Sequence, residues 1–380
     1  MELIKEQQFF INILKDFLLE NYSVLQDDLD WNLIQYYTNI HQVGAIFYRQ
    51  TKQKIFQNVF SMQIYRYKNY EKEVCLFREA LKDYQYLLVK GIIVAELYPI
   101  PSLRSMGDVD ILIHSEDREN IHNILIDNGF ELQKITSIGE WTYSKKEFLF
   151  EVHDSLVHRY KGKEQLVDYF LNCWNYAEDG ELGWSFHLIY LIEHLRQHFV
   201  GRGVGFRQFM DVAIVCKKCD IDWKFVSIGL KKLNLYDFAT TVFAFIDAWF
   251  DIQVPFPTRE LSEEFYVKST QKVFSDGVFG ANNSDNSTTA LSFQMHYKGV
   301  EFNKARRDYF LDRLFPDQEY MSHFPHCSYV EKSKLLLPVS WIQRFLYCVF
   351  NKEHRSYIKQ QFLKKKTMER INMLNEWGLK

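Results

Sequence analysis

The sequence predicts an α+β fold, with a small mixed sheet flanked by an N-terminal and a C-terminal helical segment. Glycine and proline are scarce, 16 and 7 in 380 residues, against 32 Phe and 23 Tyr, a balance that favours helices over a turn-rich β architecture. Apolar residues recur at spacings of three and four up to about Leu81 and again from about Gly162. Between these stretches lie short runs of strand character, Tyr86 to Val89, Val109 to Ile113 and Phe148 to Val152. The expected organisation is a helical segment over residues 1–83, an α/β core over 84–160 and a helical domain over 161–380, around a sheet of about four or five strands.

The N-terminal segment places Phe9, Ile13 and Phe17, then Leu33, Tyr36 and Tyr37, then Val74, Phe77 and Leu81 on helical stripes, enough for about four helices. One of Asp27, Asp28 or Asp30 is suited to cap the helix that contains Trp31 to Tyr37, because a short acid accepts the first free N–H groups.

In the core, Tyr86 to Lys90 reads as a strand that ends at Gly91, followed by a short helical run from Ile92 to Leu97 that Tyr98-Pro99 stops. A strand, a glycine turn and a helix N-terminus make a seat for phosphate, since free N–H groups and the helix dipole favour an anion. Lys90 and Arg104 flank it in sequence. In Gly107-Asp108-Val109-Asp110-Ile111-Leu112-Ile113 the period of two puts Asp108 and Asp110 on one face. Two adjacent carboxylates repel, and a hard divalent cation with oxygen ligands relieves them. Replacing either with Asn is therefore expected to leave the metal-free fold intact or to stabilise it. A third acid, Glu151, lies inside the apolar run Phe148 to Val152, and His153 falls on the same strand face. Ser115 is placed to cap the helix after the aspartates, Asn128-Gly129 to close it, and Phe130 to Ile135 and Trp141 to Ser144 to supply two more strands.

The helices of the C-terminal half span Ser185 to Phe199, Phe206 to Lys217, Trp223 to Leu233 and Tyr236 to Phe250. His194 and His198 are four apart on the first of them, as are Arg207 and Asp211 on the second, where they form the simplest intrahelical ion pair. The region from His194 to Asp211 is expected to face the aspartates. Ser275 to Ser287 reads as a loop, the helices break around Phe324-Pro325 and Leu337-Pro338, and the chain ends with a basic stretch at Lys364, Lys365 and Lys366.

Composition excludes several classes. No run of 18 uncharged apolar residues is present and Met1 to Glu6 is not a secretory leader, so the expectation is a cytoplasmic protein without a membrane span. A formal charge of −3 offers no global attraction to long nucleic acid, which leaves a small molecule or a protein as the expected partner. The six cysteines are scattered, and Cys216 and Cys219 have no second pair to complete a zinc site. The phosphate loop of P-loop enzymes, the dinucleotide-binding glycine motif and the hydrolase nucleophile elbow are all missing.

At Lys90-Gly91, Tyr98-Pro99, Arg104 and Gly107 to Leu112 the chain resembles the nucleotidyltransferase superfamily and, more narrowly, a bacterial family of uncharacterised nucleotidyltransferase-like proteins. Leu337-Pro338-Val339-Ser340-Trp341-Ile342-Gln343-Arg344, with the helices of His194, His198, Arg207 and Asp211, extends that likeness into the second half. The resemblance implies transfer of a nucleoside monophosphate from an NTP to a hydroxyl or phosphate on a small-molecule or protein acceptor, with Mg²⁺ or Mn²⁺ as cofactor. Asp108, Asp110 and Glu151 would be the catalytic and metal-holding residues, and Lys90, Gly91 and Arg104 the nucleotide-binding ones. His153, His194, His198, Arg207 and Asp211 would line the acceptor cleft. Ile92 stands where active superfamily members usually carry a small residue. That departure keeps a second possibility open, a non-catalytic relative that uses the fold for binding or as a scaffold.

Overall fold

The computed structural model describes residues 2–135, 140–157, 164–178, 180–201, 203–278, 295, 301–316, 318, 321, 327, 329–330, 333–350 and 364–379. Two compact units emerge, one made of residues 1–199 and 203–282 with Leu379, the other of 200–202 and 283–378 with Lys380. The N-terminal helices, the whole sheet and the helices that follow it thus fold as one body.

Helices α1 (Lys5–Leu18), α2 (Trp31–His41), α3 (Gly44–Thr51) and α4 (Gln57–Ala80) form the N-terminal segment. Among the three candidate caps it is Asp30 whose Oδ1 accepts the N–H groups of Asn32 and Leu33, at 2.9 and 3.1 Å. Asp30→Ala is expected to cost about 1 kcal/mol, read as a shift in a urea unfolding midpoint at constant slope. The buried ring of Phe10 on α1 packs on Phe47 and also on Phe206 and Phe274 from far along the chain, with ring centroids 4.9, 5.4 and 5.2 Å apart. This aromatic contact explains why the first helices do not stand apart as a separate domain.

The sheet contains β1 (Tyr86–Val89), β2 (Asp108–Ile113), β3 (Glu131–Ile135), β4 (Trp141–Lys145), β5 (Phe148–His153), β6 (Ala177–Glu178) and β7 (Glu181–Leu182), in the order β3-β4-β5-β2-β1-β7-β6. It is mixed, because β2 pairs with β5 in parallel and with β1 antiparallel. It has seven strands rather than the expected four or five, the additional ones coming from the two-residue strands β6 and β7. Val109, Ile111 and Ile113 of β2 and Phe148, Phe150 and Val152 of β5 share one buried cluster with Tyr70, Val74 and Phe77 of α4. Helix α6 (Arg118–Asp127) adds Ile121 and Leu125 to it. Period two then sends Asp108, Asp110, Glu151 and His153 to the opposite face.

Helices α5 (Gly91–Ala95), α7 (Glu164–Leu171), α8 (Trp184–Val200), α9 (Phe206–Lys218), α10 (Trp223–Lys232), α11 (Tyr236–Phe250) and α12 (Glu263–Asp276) complete the first unit. Gly129, at φ +77°, closes α6 as its composition predicts. Ser115 does not cap that helix; its hydroxyl contacts Glu116, and a 3-10 turn over Ser115–Asp117 leads into α6 instead. In the second unit Leu337-Pro338 opens a helix rather than breaking one, since proline lacks only an N–H that the first turn does not use. Residues 279–287 of the expected loop and the Phe324-Pro325 break lie outside the described residues. So do the side chains of Lys364 to Lys366. Among the described residues no helix is long and apolar enough to cross a membrane.

Candidate active site

Parallel pairing of β2 with β5 sets Asp110 directly beside Glu151, with Asp108 beside Leu149 and Leu112 beside His153. Ligand atoms of Asp110, Glu151 and His153 all lie within 4.8 Å of one another. The imidazole Nε2 of His153 is 3.3 Å from Asp110 Oδ1 and 3.8 Å from Glu151 Oε2. Asp108, the other half of the paired-acid motif, is on the same strand but not within that group. The structure therefore draws His153, which sequence placed beside the acceptor, into contact with the central carboxylates.

Lys90 meets the same centre from β1. Its Nζ is 2.7 Å from Asp110 Oδ1, with side chains only 15% and 6% exposed. Lys90, not Gly91, is the residue that bends the chain, at φ +53° and ψ −124°, a conformation that favours glycine and costs a side-chain-bearing residue on the order of 1–3 kcal/mol. The backbone N–H of Lys90 donates to Nε2 of His187 on α8 at 3.1 Å, and its ammonium lies 5.8 Å from the ring of Tyr190 on the same helix. The helix after the turn, α5, has five residues and offers a phosphate the dipole of little more than one turn. Ile92, at the position where a small residue was expected, is 4% exposed and packs in the cluster under the sheet. Its size serves the core.

Charge is unevenly shared among the acids. Burial pushes Asp108 up, and the neighbouring Asp110 charge pushes it the same way. Burial acts on Asp110 too, but Lys90 and His153 outweigh it and hold this carboxyl well below the usual range. Glu151, pushed up by burial and by Asp108 and Asp110, reaches about 7. One strand pair thus carries a fixed anion and a carboxyl poised near neutrality.

Arg104 and Asp211 form a second, separate cluster. Nε and Nη2 of Arg104 donate to the two oxygens of Asp211, each at 2.8 Å, and Tyr98 Oη donates to Asp211 Oδ1 at 2.7 Å. The partner of Asp211 is thus Arg104, 107 residues earlier, and not the intrahelical Arg207. Arg207 instead donates through Nη1 to Gln42 Oε1, Ser105 O and Ser105 Oγ. Its charge, with those of Lys90 and Arg104, pulls the Asp108 carboxyl down against burial. His194 and His198 approach each other at 3.1 Å between their Nε2 atoms. Burial, Lys90 and His198 hold His194 well below its ordinary range, so His194 lies within the field of the lysine end of the site.

His187 is the functional neighbour that sequence reading missed. It sits on the same helix as His194, seven residues earlier, but a histidine in an apolar stripe reads as ordinary core without the contact to Lys90.

The sheet is thus mixed, with an apolar cluster on one face and carboxylates and a lysine gathered on the other. Residues 27–251, more than half of the chain, match a family described as uncharacterised nucleotidyltransferase, and the chain belongs to that family. Membership supports nucleotidyl transfer in general, with an NTP as substrate. No curated protein and no solved structure matches the chain.

Proposed function

We propose that the chain is an enzyme that moves a nucleoside monophosphate from an NTP to a hydroxyl or phosphate of a small-molecule or protein acceptor. The observation that carries this reading is the convergence of Asp110, Glu151 and His153 within 4.8 Å on adjacent strands of a nucleotidyltransferase-family chain. Their donor set, two carboxylates and an imidazole, fits a divalent ion such as Mg²⁺ or, better with a nitrogen ligand, Mn²⁺. His153 Nε2 is moreover a buried atom whose neighbours are the carboxylates of Asp110 and Glu151. A divalent ion held there supplies charge neutralisation at the phosphate oxygens and lowers the pKa of the acceptor oxygen.

The protein's own groups do the rest. The acceptor oxygen bonds to the α-phosphorus, the bond from that phosphorus to the bridging β-oxygen breaks, and pyrophosphate leaves. The acceptor's proton passes to the Glu151 oxygen that does not hold the ion, on a carboxylate directly beside Asp110. Lys90 and Gly91, at the turn after β1, are assigned to the phosphates, and Arg207 acts on the same side through its charge on Asp108. Arg104 contributes by holding Asp211 and Tyr98 in place, and His194 and His198 lie toward the acceptor side.

The Lys90–Asp110 ion pair favours one other reading, a non-catalytic relative in which lysine has made the acids self-sufficient. Pyrophosphate release from ATP, GTP, CTP and UTP with Mg²⁺ or Mn²⁺ separates the two. The transferase should release pyrophosphate, and Glu151→Gln should lower the rate by about 10²-fold or more while leaving NTP binding measurable by calorimetry. Nucleotide binding with no release in any of the eight mixtures supports the binding protein.

A further inference from the structure

We infer that Lys90 stands in for one of the two divalent ions that a paired-aspartate transfer site otherwise holds, so that this site works with a single ion. The inference rests on the transferase reading. Its starting point is the ammonium 2.7 Å from Asp110 Oδ1. In a two-ion site the cations lie about 3.5–4 Å apart, so a carboxylate shared between them faces two positive charges. Here one oxygen of Asp110 already faces a permanent cation.

Two independent observations support a built-in charge rather than an accidental contact. The first is the backbone. Lys90 occupies a positive-φ position at the end of β1, where glycine is the unstrained residue, and its N–H is fixed by His187 while Tyr190 covers the ammonium. A lysine tolerated at that point places its charge in one spot, and the spot is Asp110. The second is the ligand count. Among the described residues Asp110, Glu151 and His153 are the sole trio of His, Cys, Asp or Glu close enough to hold an ion, and Asp108 is not one of them. The acids supply one ion's ligands and the lysine supplies the other charge.

The consequence for the reaction is that charge developing on the phosphate oxygens is met from one side by a divalent ion and from the other by an ammonium. Lysine cannot exchange with bulk metal, so the rate should depend on metal concentration with an apparent order of about one.

Manganese binding to the full chain, followed by electron paramagnetic resonance, tests this. Wild type should take up one Mn²⁺ with the spectrum of an isolated ion. Lys90→Gly, which also suits the backbone, should take up two that show spin–spin coupling, and Lys90→Arg should again take up one. In pyrophosphate release the apparent order in Mn²⁺ should rise from about one in wild type to about two in Lys90→Gly. Two coupled ions in wild type, or one ion with unaltered affinity in Lys90→Gly, overturn the inference. If Lys90→Gly does not fold, the wild-type count and Lys90→Arg still decide. Two coupled ions in a wild type that releases pyrophosphate defeat the lysine substitution but leave the transferase reading intact. No bound Mn²⁺ and no release defeat both.

Discussion

Asp110→Asn is expected to destabilise the metal-free protein by about 3 kcal/mol, because it leaves the Lys90 ammonium, only 15% exposed, without its counter-charge. Asp108→Asn is expected to be neutral or stabilising, since burial and the Asp110 charge both oppose ionisation of Asp108 in the native state. The two acids of one motif should thus respond with opposite sign. Repulsion between them, taken alone, predicts the same sign for both, and the difference comes from Lys90. Urea unfolding of both variants in excess chelator measures this. An Asp110→Asn midpoint equal to that of wild type would show that Lys90 finds another partner and that the ion pair does not hold the site together.

Acid is expected to unfold the protein steeply below pH 6.5, and two buried histidines account for much of the slope. His41 is 0% exposed among the rings of Phe10, Phe206 and Phe274, and its Nδ1 accepts the N–H of Phe206 at 3.3 Å. His187, equally buried, accepts the N–H of Lys90 and lies near the Lys90 charge. Burial pushes each down to about 3, with Lys90 adding to the shift at His187. Both therefore stay neutral in the folded chain while the unfolded chain takes up protons. Their contribution is fully present above about pH 6.5 and is lost as pH falls from there toward 3, at roughly 1.4 kcal/mol per pH unit for each group once well below 6.5. Unfolding free energies at pH 7, 5.5 and 4.5, compared with those of His41→Gln and His187→Gln, isolate the two terms. Variants that keep the full wild-type slope would assign acid lability to carboxylates instead.

Much of the fold was legible because it depends on local pattern. The stripe of Phe9, Ile13 and Phe17 gave α1, the alternation around Asp108 and Asp110 gave β2, and the acid before Trp31 gave the cap that Asp30 makes. The strands β6 and β7 were not legible, because two residues each carry no periodicity and owe their pairing to the edge of β1. In the site, the face shared by Asp108, Asp110, Glu151 and His153 followed from period two. Which charge meets which did not. Arg104 finds Asp211 across 107 residues and Lys90 finds Asp110 across the turn, and periodicity encodes the side of an element without encoding its partner. Ile92 shows the converse, a residue that looked wrong for a phosphate turn and is right for the core beneath it.

The hydrogen bond from Lys90 to His187 spans 97 residues, so a distant helix fixes the turn that carries the lysine. Strands β1, β2 and β5 and helices α4 and α6 carry their own apolar cluster and have the contacts to assemble among themselves. The strained backbone of Lys90 takes its N–H acceptor from α8, while its ammonium is held by Asp110 of the sheet itself. A chain interrupted before Trp184 therefore has the means to form a sheet bearing all three acids while the N–H of Lys90 still lacks its acceptor. The turn that carries the lysine is thus tied to a helix that contributes none of the three acids.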